Sequence, residues 1–105
     1  MKILINVFVP AIGEKYDIMV PEFLRIKIIS NLVAEAVETL SDNNYVSSGQ
    51  EQLCSAEKNI LLNSNVTLKK YGIQNGDHLV LIKFIWLYKV IRWYGGFLKS
   101  AMPSA

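Results

Sequence analysis

The chain has 105 residues, a net charge of +2 and an apolar fraction of 51%. That composition suits one packed domain with an appendage and excludes an intrinsically disordered chain. A single cysteine, Cys54, and a single histidine, His78, exclude an internal disulfide and a Cys/His zinc site, and suit a reducing cytoplasm.

In chain order, Lys2–Val9 alternates Ile3, Ile5, Val7 and Val9 with Leu4, Asn6 and Phe8, the two-residue period of a strand. Asn6 and Pro10 interrupt the apolar run before an export-signal core can form, so the segment reads as a strand and not as a signal peptide. Pro10–Gly13 predicts a turn. Lys15–Val20 predicts a second, antiparallel strand that ends at Pro21, which cannot donate a ladder hydrogen bond. Ile26, Ile29, Val33, Val37 and Leu40 then recur at steps of three and four. They predict an amphipathic helix with Glu35 and Glu38 on its far side, and Ile28 and Leu32 widen the apolar stripe.

Ser41–Asn44 and Ser47–Gly49 have loop chemistry. Glu51–Ser55 and Asn59–Leu62 are short candidate strands. Val66–Ile73 is turn-like and leads to Asn75-Gly76-Asp77, where glycine supplies the positive φ of a tight reversal before Leu79–Ile82, the last strand. The expected order is ββαβ(β)β, an α+β fold in which one helix lies across a mixed sheet. This is the β-grasp, expected over residues 1–82, with residues 83–105 as a tail.

Charge divides along the same boundary. Residues 1–82 hold seven basic and nine acidic side chains, whereas residues 83–105 hold four basic ones and no acid. The nearly neutral body offers no electrostatic footprint for nucleic acid.

The strand at the first residues and the closing Asn75-Gly-Asp-His-Leu-Val-Leu-Ile82 resemble ubiquitin-like proteins. With Ile18-Met-Val-Pro21 leading to the helix and Asn63-Ser-Asn-Val-Thr-Leu-Lys-Lys-Tyr-Gly-Ile73, the chain is similar to the small ubiquitin-like proteins of bacterial type VII secretion systems, the YukD/EsaB family. The resemblance implies a cytoplasmic, non-conjugated accessory or regulatory component whose partner is a protein of the secretion machinery. Conjugated modifiers expose a C-terminal diglycine. Here Gly95-Gly96 is followed by nine residues, so a protein modifier or sulfur carrier would need maturation at Gly96.

A search for chemistry finds no catalytic constellation, no cofactor motif and no metal cluster. Asp77 and Glu14 stand apart, and no nucleophile is spaced to pair with His78, which reads as a solvent-facing strand residue. Cys54 reads as a small buried hydrophobe and Lys69-Lys70 as a solvated turn. The positive signal is a surface. If Ile3, Ile5 and Val7 face the helix, Leu4 and Phe8 face outward, and in a β-grasp the parallel last strand sets Val80 and Ile82 beside them. Four apolar side chains on an open sheet face make a candidate docking patch, the face that ubiquitin itself uses.

The tail Lys83–Tyr94 is aromatic and apolar, interrupted by Lys89 and Arg92. Drawn as a helix, it sets Lys89 and Arg92 on a narrow polar face with Ile85, while Phe84, Trp86, Leu87 and Trp93 cover the rest. It is too short for a membrane span, which needs about 20 apolar residues. Its expected roles are packing on its own domain, self-association, or contact with the inner membrane surface.

Overall fold

The computed structural model describes residues 1–83. The tail residues singled out above, Phe84, Trp86, Leu87, Lys89, Arg92 and Trp93, lie outside the described residues, as do Gly95 and Gly96.

Five strands and one helix follow in the order β1 (Lys2–Val9), β2 (Glu14–Pro21), α1 (Ile26–Leu40), β3 (Glu51–Ser55), β4 (Ile60–Leu61) and β5 (His78–Lys83). The sheet order is β2-β1-β5-β3-β4, so β5 is the central strand. β1 and β2 form an antiparallel hairpin in which Val9 faces Glu14 and Lys2 faces Pro21. Pro21 is thus the last paired residue of an edge strand, where its missing N–H costs no ladder bond. β1 and β5 run parallel, with Val7 opposite Leu79 and Phe8 opposite Val80.

Alternation in β1 buries Ile3, Ile5, Val7 and Val9 under the helix. Their partners in the core are Ile18 and Val20 of β2, Leu53 of β3 and Leu79 and Leu81 of β5. The helix contributes Ile26, Ile29, Val33, Ala34 and Val37. The stripe is narrower than the sequence predicts, because Ile28, Leu32 and Leu40 are exposed. Ile28 and Leu32 fall on the side of the helix that faces away from the sheet. Leu40 ends the last turn. Ser30 and Ala34 complete the buried face with small side chains, and the Ser30 hydroxyl donates to the Ile26 carbonyl at 2.8 Å, which satisfies it in an apolar setting.

The first turn of α1 lacks a side-chain cap, since Arg25 occupies the N-cap. Its free N–H groups are satisfied from elsewhere in the chain: Ile26 donates to the Val66 carbonyl at 2.8 Å and Lys27 to that of Ser64 at 3.0 Å. The 64–77 segment therefore supports the helix start as well as leading into β5. Leu68 and Ile73 bury beneath it. Gly76 takes the expected positive φ, +86°. The segment is stitched to β1, with the Leu4 N–H donating to Asn75 Oδ1 at 2.7 Å and the Gly76 N–H to the Leu4 carbonyl at 2.8 Å.

Candidate interaction face

The sheet has one face under α1, while the other carries the alternate side chains of every strand. Register brings Leu4, Asn6 and Phe8 of β1 opposite Met19, Asp17 and Lys15 of β2. On the other side, Phe8 neighbours Val80, and Val80 neighbours Cys54 of β3. The four predicted patch residues do share this face. Leu4 is the most open of them, at 37% exposure, and Met19 beside it is 56% exposed. Asn6 fixes the β1–β2 junction, donating from Nδ2 to Asp17 Oδ1 at 3.0 Å.

The expectation of an exposed patch fails at Val80 and Ile82, which are 9% and 4% exposed. Both lie on the central strand with neighbours on either side. Together with Cys54, at 2%, they form a dry centre beside the wetter Leu4 and Met19. Burial pushes the Cys54 thiol up to about 11, so it is an inert thiol at neutral pH.

At the entry to β5, His78 is solvent-facing as expected, but its partner is Glu57 and not the adjacent Asp77. The His78 backbone N–H donates to the Glu57 carboxylate at 2.9 Å, and its ring Nδ1 lies 2.6 Å from Glu57 Oε2. Partial burial pulls the Glu57 carboxyl upward, but the hydrogen bonds from His78 outweigh it and hold the carboxyl below its ordinary range. Asp77 turns back to cap its own turn, accepting from the Gln74 N–H at 2.9 Å.

A second polar cluster, which the sequence pattern did not reveal, lies at the other end of the sheet. Glu51 is buried and accepts from the Tyr45 hydroxyl at 2.9 Å, the Ser48 N–H at 2.8 Å and the Gly49 N–H at 3.0 Å. Lys83, opposite Glu51 in the ladder, holds its ammonium 4.8 Å from the centre of the Tyr45 ring. Nearby, Glu38 accepts from both the N–H and the hydroxyl of Ser47, at 2.7 and 3.0 Å, which lowers its carboxyl. These contacts pin the loop between α1 and β3. Among the described residues there is no group of three or more His, Cys, Asp or Glu placed to hold a metal ion, and no helix long and apolar enough to cross a membrane.

The described sheet and helix coincide with a sequence profile. The profile described as WXG100 protein secretion system (Wss), protein YukD, matches residues 4–81. The chain belongs to the YukD family. No curated protein matches it. Among solved structures, a ubiquitin-like domain from Arabidopsis thaliana superposes with a TM-score of 0.59 at 19% identity, covering 78% of this chain and 77% of that one. The ubiquitin of Caldiarchaeum subterraneum gives a TM-score of 0.55 at 18% identity over 79% and 94% of the two chains. Protomer 1 of the ESX-3 core complex gives 0.60 at 18% identity over 79% of this YukD-family chain, which spans 16% of that much longer protomer. At these identities the structural likeness establishes the ubiquitin-like fold.

Proposed function

We propose that the chain is a non-catalytic, cytoplasmic adaptor that binds a protein component of a type VII secretion apparatus through the sheet face bearing Leu4, Phe8, Val80 and Ile82. The observation that carries the reading is the YukD-family match over residues 4–81, which spans the sheet and helix and leaves the domain itself as the functional unit. The likeness to a domain within an ESX-3 core-complex protomer supports the same setting. On that face, Leu4 and Met19 give a partner accessible apolar area flanked by the polar Asn6 and Asp17, a combination suited to docking.

Loss of the gene should reduce export of WXG100-type proteins into the medium, and the wild-type gene should restore it. A folded Leu4→Glu protein should restore export poorly. Unchanged export in the deletion strain would overturn the reading. Restoration by the wild type only after cleavage at Gly96, with appearance of higher-mass adducts, would favour the modifier instead.

A further inference from the structure

The two edges of the sheet differ. β4 closes one side with two residues, whereas β2 closes the other with eight. A long free edge is a template for another strand, and short length is one way in which proteins blunt it. The ladder shows which backbone groups of β2 point outward. The Glu22 N–H donates to the Met1 carbonyl at 3.1 Å, and bonded pairs recur at every second residue, at Ile3–Val20, Ile5–Ile18 and Val7–Tyr16. The intervening residues of β1 aim the other way: the Leu4 and Asn6 N–H groups reach Asn75 Oδ1 and the Asp77 carbonyl. Opposite Phe8, Asn6 and Leu4, therefore, Lys15, Asp17 and Met19 present their N–H and C=O groups at the outer edge of β2. Among the described residues nothing pairs with that edge, and all three side chains are exposed.

We propose that β2 pairs antiparallel with β2 of a second copy about a two-fold axis at Tyr16, setting Lys15 of each copy opposite Asp17 of the other. Charge selects both the occupant and the register. Lys15 and Asp17 stand two residues apart on one face of the strand with opposite signs, so the segment is complementary to itself when reversed. Each Lys15–Asp17 pair falls at a bonded position, where the two residues exchange both backbone hydrogen bonds, and its side chains meet on the open sheet face. Moving the axis by one residue, to Asp17, sets two carboxylates opposite each other, which is destabilising. Moving it to Ile18 leaves Lys15 facing Pro21 and Asp17 facing Met19. Pro21, which has no N–H to give, lies outside the paired segment in the Tyr16 register. Tyr16 itself, half-buried against the core, meets its counterpart at a non-bonded position, where Cα atoms approach to about 4.5 Å. The axis stands perpendicular to the sheet, so the two five-stranded sheets become one, with both helices on one side and Leu4 and Met19 of each copy on the other. The pairing stands apart from the adaptor reading. That a partner then meets two docking sites at once rests on that reading.

The test uses the full chain, with circular dichroism to confirm the fold of every variant. Sedimentation should give a mass that rises with concentration from one copy toward two. K15D and D17K each set like charges opposite one another at two symmetric positions, and each should raise the dissociation constant about tenfold or more. An equimolar mixture of K15D and D17K recreates both opposite-charge pairs and should regain the wild-type affinity, which damage to the fold cannot produce. Under mild oxidation Y16C should form a disulfide with its counterpart. M19C should not, because its counterpart lies six residues out of register, roughly 20 Å away. The native Cys54 is buried and leaves this readout clear. A single monomeric mass at the highest soluble concentration overturns the proposal, whatever happens to secretion. Dimers that K15D and D17K leave unchanged, a mixture that stays monomeric, or crosslinking at M19C in place of Y16C assign the contact to another surface or register and overturn it equally.

Discussion

The Tyr45 hydroxyl donates to the Glu51 carboxylate at 2.9 Å with both residues buried, so a loop tyrosine and a strand acid lock each other in place. Removing the acid takes the acceptor from four donors at once: the Tyr45 hydroxyl, the N–H and hydroxyl of Ser48, and the N–H of Gly49. Of these only the Tyr45 hydroxyl belongs to a buried residue, and a buried unsatisfied group costs roughly 1–3 kcal/mol, so Glu51→Ala should lower unfolding free energy by about that much. Glu51→Gln retains an acceptor and should cost less than half of that. Urea unfolding of the two variants measures the difference, and equal losses would show that shape and not hydrogen bonding holds the loop.

The core assignment predicts a sharp contrast between two isoleucines. Ile5, fully buried between sheet and helix, should cost about 2–5 kcal/mol when changed to alanine, through lost transfer energy and the cavity left behind. Ile28, on the outer side of α1, should cost within about 0.5 kcal/mol, apart from helix propensity, which favours alanine. Comparable losses at both sites would mean that the outer face of the helix is covered.

Stability should fall on the acid side of neutrality through Glu57 and Glu38. Both carboxyls are held below their ordinary value of 4.5 in the folded state. The unfolded chain therefore takes up their protons first as pH falls. Their stabilisation is complete above the unfolded value and is lost as pH drops through the folded one. The E38Q/E57Q double variant should be less stable at about pH 7 and should show a shallower decline toward about pH 3. Parallel urea midpoints for variant and wild type across that range would remove these two residues from the acid response.

For the interaction face, Leu4→Glu should weaken capture by a partner from the secretion apparatus while leaving the unfolding midpoint nearly unchanged. The side chain stands at the open end of the face, and surface substitutions usually cost under about 0.5 kcal/mol. Isothermal titration against the purified partner would check it. Undiminished affinity would move the docking site elsewhere on the domain.

Much of the architecture was legible because each element repeats its signal. Ile3, Ile5, Val7 and Val9 alternate over a whole strand, and Ile26, Ile29, Val33 and Val37 mark one side of a helix. Ile28 and Leu32 misled because an apolar side chain carries no label for the direction it faces; the sheet selects Ser30 and Ala34 for its side instead. The Glu51–Tyr45 lock and the Glu57–His78 pair were invisible for another reason. They join a loop to a strand and a turn to a strand, and neither spacing follows any local period. For the same reason, alternation placed Val80 and Ile82 on the correct face and still said nothing of how dry they are.

The strand order holds a consequence for how the chain reaches this state. β5 is the last of the described strands to leave the ribosome, yet it occupies the middle of the sheet, between β1 and β3. Until it emerges, the β1–β2 hairpin and the β3–β4 hairpin have no ladder to share. The helix likewise lacks the Val66 and Ser64 carbonyls, which accept from the N–H groups of its first turn, until those residues appear. Emerging chains shorter than about residue 83 are therefore two unjoined hairpins with exposed edges, the state in which a β-protein most readily aggregates. The sheet becomes continuous only when its final strand pairs on both sides.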